Sequence, residues 1–435
     1  MARKRRDRFS ELPVDLLDKI LGCMPILYAA RLAVLSTLWK DAWFSLTKLD
    51  FDLYFFCHIR EKYDAYYDDS DRWTWKAIYK NPKIDMVVSE SMYIINKVLM
   101  HHNGPIRKFC FAVQVYSLEP LGSRVFDIYK WLNFVTQKGV EEIQLNFDTR
   151  DGFLLPNCIF SCQTLRRLRL GGSSYDTISS PCILPKFTSL FFENVDFERS
   201  VHTINAPMLE NLSFVACRET LFHFNVTAPK LSTLTFQGCS YHQTNVNIPV
   251  KYSTWESVRT LVLDGYSIDN FFEPLTKRGA PQHSSQLQLL YVEYLMLLED
   301  PLKCDPDSLL IVEHDISPAF IRVLQLCPKL SKLCIDVSFF QDMEGCLGTP
   351  SELSGELLRV AQTLNLLHTL ILSGPYLWNS NLWLFGIKGL LACFPTLKKF
   401  VIGREFNLKT IKEILHFPRA SPKVEIVFIK TRVLF

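Results

Sequence analysis

Few residues of this chain have the types and the spacing that catalysis or metal binding requires. Cys158 and Cys162 lie four residues apart, but the sequence offers neither a second cysteine pair nor a histidine at the distance typical of zinc fingers. The neighbouring His101 and His102 fall at the end of a predicted helix, where histidine commonly interacts with exposed carbonyl groups. The glycine-rich segment 171–174 follows a predicted strand and has no lysine that would reach a phosphate, which indicates a turn. Serine-hydrolase, P-loop and zinc-protease motifs are absent from the sequence, so we predict no catalytic residue, no metal site and no cofactor.

Binding is the remaining class of function, and the composition narrows it. The 435 residues carry a net charge of only +3, which argues against a nucleic-acid partner. No run of 18 apolar residues is present, so we expect no membrane partner. The 13 cysteines are an odd number without a CxxC pair, and charged residues interrupt any apolar signal segment near the N-terminus. Reduced thiols in a protein of the nucleus, the cytoplasm or both fit this pattern.

A repeat organises the chain after its N-terminal part. The pattern L-x-x-L-x-L starts at Leu165, and copies that start at Phe187, Leu209 and Leu231 follow at 22-residue spacing. Weaker copies begin at Val258, Leu287, Leu330, Leu367 and Leu397. Five copies have a proline two residues ahead of the first apolar position, where no strand hydrogen bond is needed: Pro185, Pro207, Pro229, Pro328 and Pro395. Cys217 and Cys239 fall where this repeat type uses Asn or Cys. Together these features predict leucine-rich repeats stacked into a curved solenoid.

Side chains alternate along each repeat strand, so the residues that flank the buried apolar pair point to the concave sheet of the solenoid. We predict that these residues bind a target protein: Arg167, Arg169, Phe191, Glu193, Asn211, Ser213, Thr233, Thr235 and Gln237. Positions of the same kind further along are Thr260, Asp264, Lys332, Asp336 and Lys399. Arg166, Arg167 and Arg169 together would also suit an acidic or phosphorylated group.

Residues 7–52 form a separate N-terminal module of three short predicted helices. The first has Leu16, Leu17, Ile20, Leu21 and Met24 on one face, follows Pro13, and ends at Gly22 and Pro25. The second covers 26–35. Ser36 can cap the third, which carries Trp39, Trp43 and Leu46. Three helices in about 45 residues approach the lower size limit for an independent core, so we expect apolar surface left for a partner.

This module resembles the F-box of plant F-box/leucine-rich-repeat proteins, whose pattern it matches without a gap. The matching residues are Asp7, Arg8, Ser10, Leu12, Pro13, Leu16, Leu17, Ile20, Leu21, Met24, Pro25, Val34, Leu35, Ser36, Trp39, Trp43, Leu46, Leu49, Phe51 and Asp52. The chain departs from the pattern at Thr37-Leu38, where the family usually has a basic pair. It also departs at Ile26-Leu27-Tyr28, where the family prefers polar residues. The segment 102–109 (HNGPIRKF) is a further landmark of the family, and 417–426 resembles the end of its FBD domain.

The resemblance implies a fold and a domain order. The expected class is α/β, with a three-helix F-box at 7–52 and an irregular linker or insertion at 53–92. A leucine-rich-repeat solenoid with a parallel concave β-sheet would follow at 93–375, and an FBD-like C-terminal cap at 376–435.

The resemblance also implies a non-catalytic role in a ubiquitin ligase. The F-box would dock on a Skp-type adaptor and through it on a cullin, while the repeats hold a target protein. By resemblance, the adaptor-binding residues are Leu12, Pro13, Leu16, Leu17, Ile20, Leu21, Met24, Pro25, Leu35 and Trp39, and Leu12→Lys is expected to abolish the contact. A repeat scaffold without a ligase is an alternative, as is a receptor gated by a small molecule. An apolar cavity or a basic ring among the concave residues would favour the receptor.

Overall fold

The computed structural model describes residues 12–63, 82–113, 121–147, 153, 155–172, 182–195, 202–217, 224–237, 257–264, 294–298, 321, 323–325, 327–336, 358–373, 380–403 and 406–429. The chain divides into two compact units, Met1–His202 and Thr203–Phe435. Cys239, one of the two predicted turn cysteines, lies outside the described residues.

The three predicted helices of the N-terminal module are present. Helix α1 covers Val14–Gly22, α2 covers Ile26–Leu32 and α3 covers Thr37–Phe44. The Ser36 hydroxyl accepts a hydrogen bond from the Trp39 backbone N–H at 3.4 Å, as the sequence predicts for an N-cap. Helix α2 ends at Leu32, three residues before the predicted end. The backbone must turn there so that Ser36 can adopt the extended conformation of a cap.

The described parts of residues 53–92 are helical, whereas the sequence predicts an irregular linker or insertion there. Helix α4 covers Leu53–Lys62 after an N-cap in which the Asp52 carboxylate accepts from the Phe55 N–H at 3.1 Å. Helix α5 covers Pro82–His101. The sequence prediction missed the buried face of α4, which is formed by Phe55, Phe56 and Ile59. Residues 64–81 lie outside the described part of the chain.

In the first unit a parallel sheet follows the helices, in the order β1-β2-β3-β4-β6. Its strands are β1 (Lys48–Phe51), β2 (Lys108–Val113), β3 (Glu142–Phe147), β4 (Arg167–Gly171) and β6 (Ser189–Glu193), with a short strand β5 (Cys182–Ile183) outside it. Helices α6 (Leu121–Gln137) and α7 (Asn157–Ser161) connect successive strands. Strand β1 belongs to the N-terminal module, so the module supplies the first strand of the repeat sheet.

The second unit continues the same architecture with eight parallel strands, among the described residues, in chain order. They are β8 (Asn211–Val215), β10 (Thr233–Gln237), β11 (Thr260–Asp264), β12 (Tyr294–Leu298), β13 (Lys332–Asp336), β14 (Thr369–Ser373), β15 (Lys399–Ile402) and β16 (Glu425–Phe428). Strands β7 (His202–Asn205) and β9 (Phe224–Thr227) are neighbours in a second, small sheet. Helix α8 (Ser380–Cys393) precedes β15, and α9 (Leu408–Leu415) precedes β16.

The repeat predicted to begin at Leu287 is out of register in the structure. The strand of this repeat is β12, which places Leu295 opposite Leu261 of β11. The prediction was wrong because segment 287–298 contains leucines at two sets of positions that fit the pattern. Only the pairing with β11 decides between them.

The prolines that precede the repeat strands occupy a β-turn. The N–H of Leu209 donates to Ala206 O at 3.0 Å and that of Leu231 to Ala228 O at 3.1 Å, which places Pro207 and Pro229 second in their turns. Proline is favoured at this position because its ring presets the required φ angle. These turns orient the strands that follow them in the same way. The structure confirms the predicted fold class, which is an N-terminal helical module followed by a parallel leucine-rich-repeat sheet.

Candidate functional site

The helical module carries exposed apolar side chains over a small core. Leu17 and Leu21 are completely buried, although the resemblance places both among the adaptor-binding residues. Leu16 is 43% exposed, Leu35 is 70% exposed and its neighbour Val34 is 86% exposed. Several exposed apolar side chains on one small module are typical of a protein interface.

The remaining predicted adaptor-binding residues are exposed fully or in part. Pro13 and Pro25 are exposed, and four others are partly exposed: Leu12, Ile20, Met24 and Trp39. Leu17 and Leu21 therefore support the surface from inside the module and offer no area for a partner. We call the exposed set Leu16, Val34 and Leu35, with Pro13 and Pro25, the F-box surface.

Two polar contacts attach helix α1 to the sheet. The Asp18 carboxylate accepts a hydrogen bond from the Thr47 backbone N–H at 2.8 Å and one from the Thr47 hydroxyl at 2.6 Å. The Lys48 ammonium donates to the Gly22 carbonyl at the end of α1, at 3.3 Å. Thr47 and Lys48 lie at the start of β1, so these contacts join the F-box surface to the first strand of the repeat sheet.

The segment between α5 and β2 completes this junction. The Asn103 N–H donates to the Phe44 carbonyl at 2.9 Å. A side chain on Gly104 would come within 2.7 Å of Ser45 Cα, a distance that real Cβ atoms do not show. Only glycine therefore permits this close approach of the two backbones. The family landmark 102–109 is the segment that packs the sheet against the helical module.

On the outer face of the first unit's sheet, opposite the leucine core, charged side chains neutralise one another. Glu142 lies between Lys108, at 2.6 Å, and Arg167, at 2.8 Å. Burial alone would raise the pKa of Glu142, but the hydrogen bonds from Lys108 and Arg167 outweigh it and hold that pKa below its usual range. Arg169 pairs with Glu193 at 2.7 Å, and its guanidinium lies 4.1 Å from the ring centroid of Phe191.

These pairs change the prediction that Arg166, Arg167 and Arg169 bind an anion together. Arg167 and Arg169 each have a carboxylate partner from a neighbouring strand, so an incoming anion would have to compete with it. What the face presents instead is the stack of Arg169 on Phe191, both partly exposed. Aromatic and arginine side chains of this kind are common at the centre of protein interfaces.

In the second unit the outer face changes from polar to apolar along the sheet. Asn211 lies opposite Thr233 and Ser213 opposite Thr235, all partly exposed as predicted from the alternation, with Gln237 at the end of its strand. In β11, β13, β14 and β15 the same row holds four apolar side chains that are almost completely buried: Val262, Cys334, Ile371 and Val401. The alternation of side chains did not predict this row, although these strands have apolar residues at consecutive positions.

The described residues contain no group of three or more His, Cys, Asp or Glu side chains placed to hold a metal ion. Burial raises the pKa of the Cys327 thiol to about 12 and that of Cys393 to about 11, so these thiols stay protonated near neutral pH. Within the described part of the chain, no helix has the length and apolarity to cross a membrane.

The three-helix module and the leucine-rich-repeat sheet each match a known protein family. A family model described as "F-box domain" matches residues 9–50. A second, described as "FBD-associated F-box protein At5g56370, LRR repeats", matches residues 128–251. The resemblance to plant F-box/leucine-rich-repeat proteins is thereby confirmed.

Three relatives from Arabidopsis thaliana agree with these matches. F-box/LRR-repeat proteins At4g14103 and At3g59200 are 28% and 29% identical over 53% of this chain, and the alignments cover 55% and 41% of those relatives. F-box/FBD/LRR-repeat protein At1g13570 is 25% identical over 98% of this chain and 99% of its own length. The chain thus spans about half the length of the first two and nearly all of the third.

Proposed function

We propose that this chain is the substrate-recognition subunit of a Skp–cullin–F-box ubiquitin ligase. F-box proteins generally act as substrate adaptors in such ligases, and F-box domains generally bind Skp-type adaptors. The observation that carries the proposal for this chain is the F-box surface, where Leu16, Val34 and Leu35 are exposed above the buried Leu17 and Leu21. Burial of these side chains against an adaptor supplies the apolar area that a stable interface needs.

The mechanism is proximity and involves no bond chemistry in this chain. The adaptor holds the F-box surface close to the cullin, and the repeat sheet holds the target protein. A target bound in this way has a high local concentration near the ubiquitin-conjugating enzyme. The two proteins therefore do not have to meet by a slow bimolecular encounter. Because β1 pairs directly with β2, the helical module does not depend on a flexible linker for its position relative to the first repeats.

The target-binding surface that we propose is the outer face of the repeat sheet. In the first unit it offers the Arg169–Phe191 stack, and in the second it offers the polar row of Ser213 and Thr235. The described cysteines are free thiols, which supports our proposal that the protein acts in the reducing environment of the nucleus or the cytoplasm.

The test is a binding titration of the full chain with a purified plant Skp-type adaptor, comparing the wild type with Leu16→Lys. Leu16 is exposed, so the substitution leaves the module folded but buries an unpaired ammonium in the interface. We expect a loss of affinity of at least roughly 100-fold, since such a burial costs about 3 kcal/mol or more. Met100→Lys, at an exposed position of α5, is the matched control and should bind like the wild type. A wild type that does not bind would exclude the ligase role and leave a repeat scaffold.

A further inference from the structure

A groove lies between helices α2 and α4, beside the F-box surface. It has a volume of about 180 Å³, and its lining includes Pro25, Ile26, Leu27 and Tyr28 from the start of α2 and Phe55 from α4. Ile26 and Phe55 are buried and form its floor. Two tyrosines at the groove are largely exposed: Tyr28 at 54% and Tyr54 at 74%. Amphipathic, exposed tyrosines around an apolar floor are a common composition of protein-binding hot spots.

Three polar side chains form the other end of the groove. Arg31 donates from Nη2 to His58 Nε2 at 3.3 Å, because a guanidinium has no acceptor atom. The other ring nitrogen, Nδ1, is 3.4 Å from a Glu61 carboxylate oxygen. Arg31 also lies 5.3 Å from the ring centroid of Tyr28. The Arg31 guanidinium therefore lies beside the Tyr28 ring and the His58 imidazole, and among these groove residues no carboxylate contacts it.

The groove is continuous with the F-box surface. Pro25 belongs to both, and Tyr28 and Arg31 lie on α2, the helix that leads to Val34 and Leu35. The apolar segment Ile26-Leu27-Tyr28 that lines the groove is also the segment where this chain departs from the polar pattern of the family. At these three positions, polar residues that suit a solvent-exposed surface are replaced by apolar and aromatic residues that suit an interface.

We propose that the adaptor interface of this chain extends beyond the F-box into the α2–α4 groove. The adaptor would place an apolar side chain on the floor between Tyr28 and Tyr54, with a neighbouring carboxylate on Arg31. The positive charge of Arg31 selects an acidic residue on the partner, and a guanidinium can bind a carboxylate with two parallel hydrogen bonds. This inference rests on the proposed adaptor binding. It adds α4, which follows residues 9–50 and is not part of the matched F-box domain.

The test compares two charge-reversed double variants in the same adaptor titration. Tyr28→Ala/Arg31→Glu removes the groove's tyrosine and its cation. Tyr93→Ala/Lys97→Glu removes a similar exposed pair on α5, where the Lys97 ammonium lies 5.6 Å from the Tyr93 ring centroid. We expect the groove variant to bind at least 10-fold more weakly than the wild type, mainly through faster dissociation, and the α5 variant to bind within twofold of it.

Tyr54→Ala tests the groove from α4 alone and does not alter the F-box. Because Tyr54 is largely exposed, the variant should keep the unfolding temperature of the wild type while its adaptor affinity falls several-fold. If Leu16→Lys abolishes binding while both groove variants bind like the wild type, the extension into the groove is wrong and the proposed function stands. If the wild type itself does not bind the adaptor, both are wrong.

Discussion

Arg167 and Arg169 have the same residue type, lie two positions apart and are each engaged by a glutamate from a neighbouring strand. In the sequence they stand next to Arg166 as part of a basic cluster. In the fold Glu142 is 25 residues and Glu193 is 24 residues away along the chain, but each comes into hydrogen-bonding contact with its arginine. The charge that remains on the outer face is therefore smaller than the sequence indicates, and the Phe191 ring becomes its most distinctive feature.

His102 is a buried, titratable residue at the junction of α5 and the sheet. Burial lowers its pKa, a hydrogen bond to the backbone of Pro105 offsets part of this effect, and the nearby Lys138 charge lowers the pKa further. The folded protein therefore holds His102 neutral at a pH where the unfolded chain, with a pKa of about 6.5, begins to bind a proton.

We predict that this histidine makes the wild type lose stability as the pH falls below about 6.5, because the unfolded state then binds more protons than the folded state. Chemical denaturation gives the free energy of unfolding of the wild type and of His102→Gln at pH 7.5 and at pH 5.5. The contribution of His102 is the stability that the wild type loses between these pH values minus the stability that the variant loses. The variant should show a smaller loss between these two pH values. Equal losses would show that His102 is not the group responsible.

At the scale of the elements, three repeat strands, β4, β6 and β8, are each followed by a residue in the same left-handed backbone conformation. Gly172, Asn194 and Ala216 follow β4, β6 and β8 at 22-residue intervals, with φ angles of +75°, +53° and +51°. Glycine adopts this left-handed conformation without strain and asparagine with little, whereas alanine has a steric cost there of about 1–2 kcal/mol. Ala216 thus keeps the repeat geometry at an energetic cost that the neighbouring strands impose.

Ala216→Gly is expected to stabilise the chain by about 0.5–1 kcal/mol, because the relief of strain exceeds the entropy that glycine adds to the unfolded state. Urea unfolding checks this value. The matched control is Asn194→Gly at the equivalent position, which should gain less because asparagine tolerates positive φ. A loss of stability in Ala216→Gly would contradict the strain argument.

At the scale of the whole molecule, the helical module and the first repeats form one compact body, and we expect it to unfold cooperatively. The sheet begins with β1 of the module, Asp18 and Lys48 attach α1 to that strand, and the Gly104 backbone packs directly on Ser45. After residue 53, helices α4 and α5 pack against each other, and Glu90 of α5 contacts Lys62 at 2.7 Å and accepts a hydrogen bond from Tyr63.

Gly104→Ala should destabilise this body by about 1–3 kcal/mol, because a Cβ atom collides with the Ser45 backbone. Hydrogen exchange should show faster exchange in both α3 and β2, on the two sides of the contact. Gly389→Ala is the control: a side chain there meets nothing within 4 Å, and replacing a helical glycine by alanine stabilises by about 0.5–1 kcal/mol. Faster exchange confined to β2 would show that the module folds independently.

The sequence by itself determined the repeat architecture, the order of the helical module and the sheet, and the positions that alternate between core and outer face. These follow from local patterns: the 22-residue spacing, the turn prolines and the helix caps all act within a few residues. Only the tertiary structure decided that Leu17 and Leu21 are core residues, that Arg167 and Arg169 are paired, and that α2 and α4 enclose a groove. Each of these features depends on contacts between segments that are separated in the chain. Such segments are brought together by the chain topology, and local sequence preferences do not specify that topology.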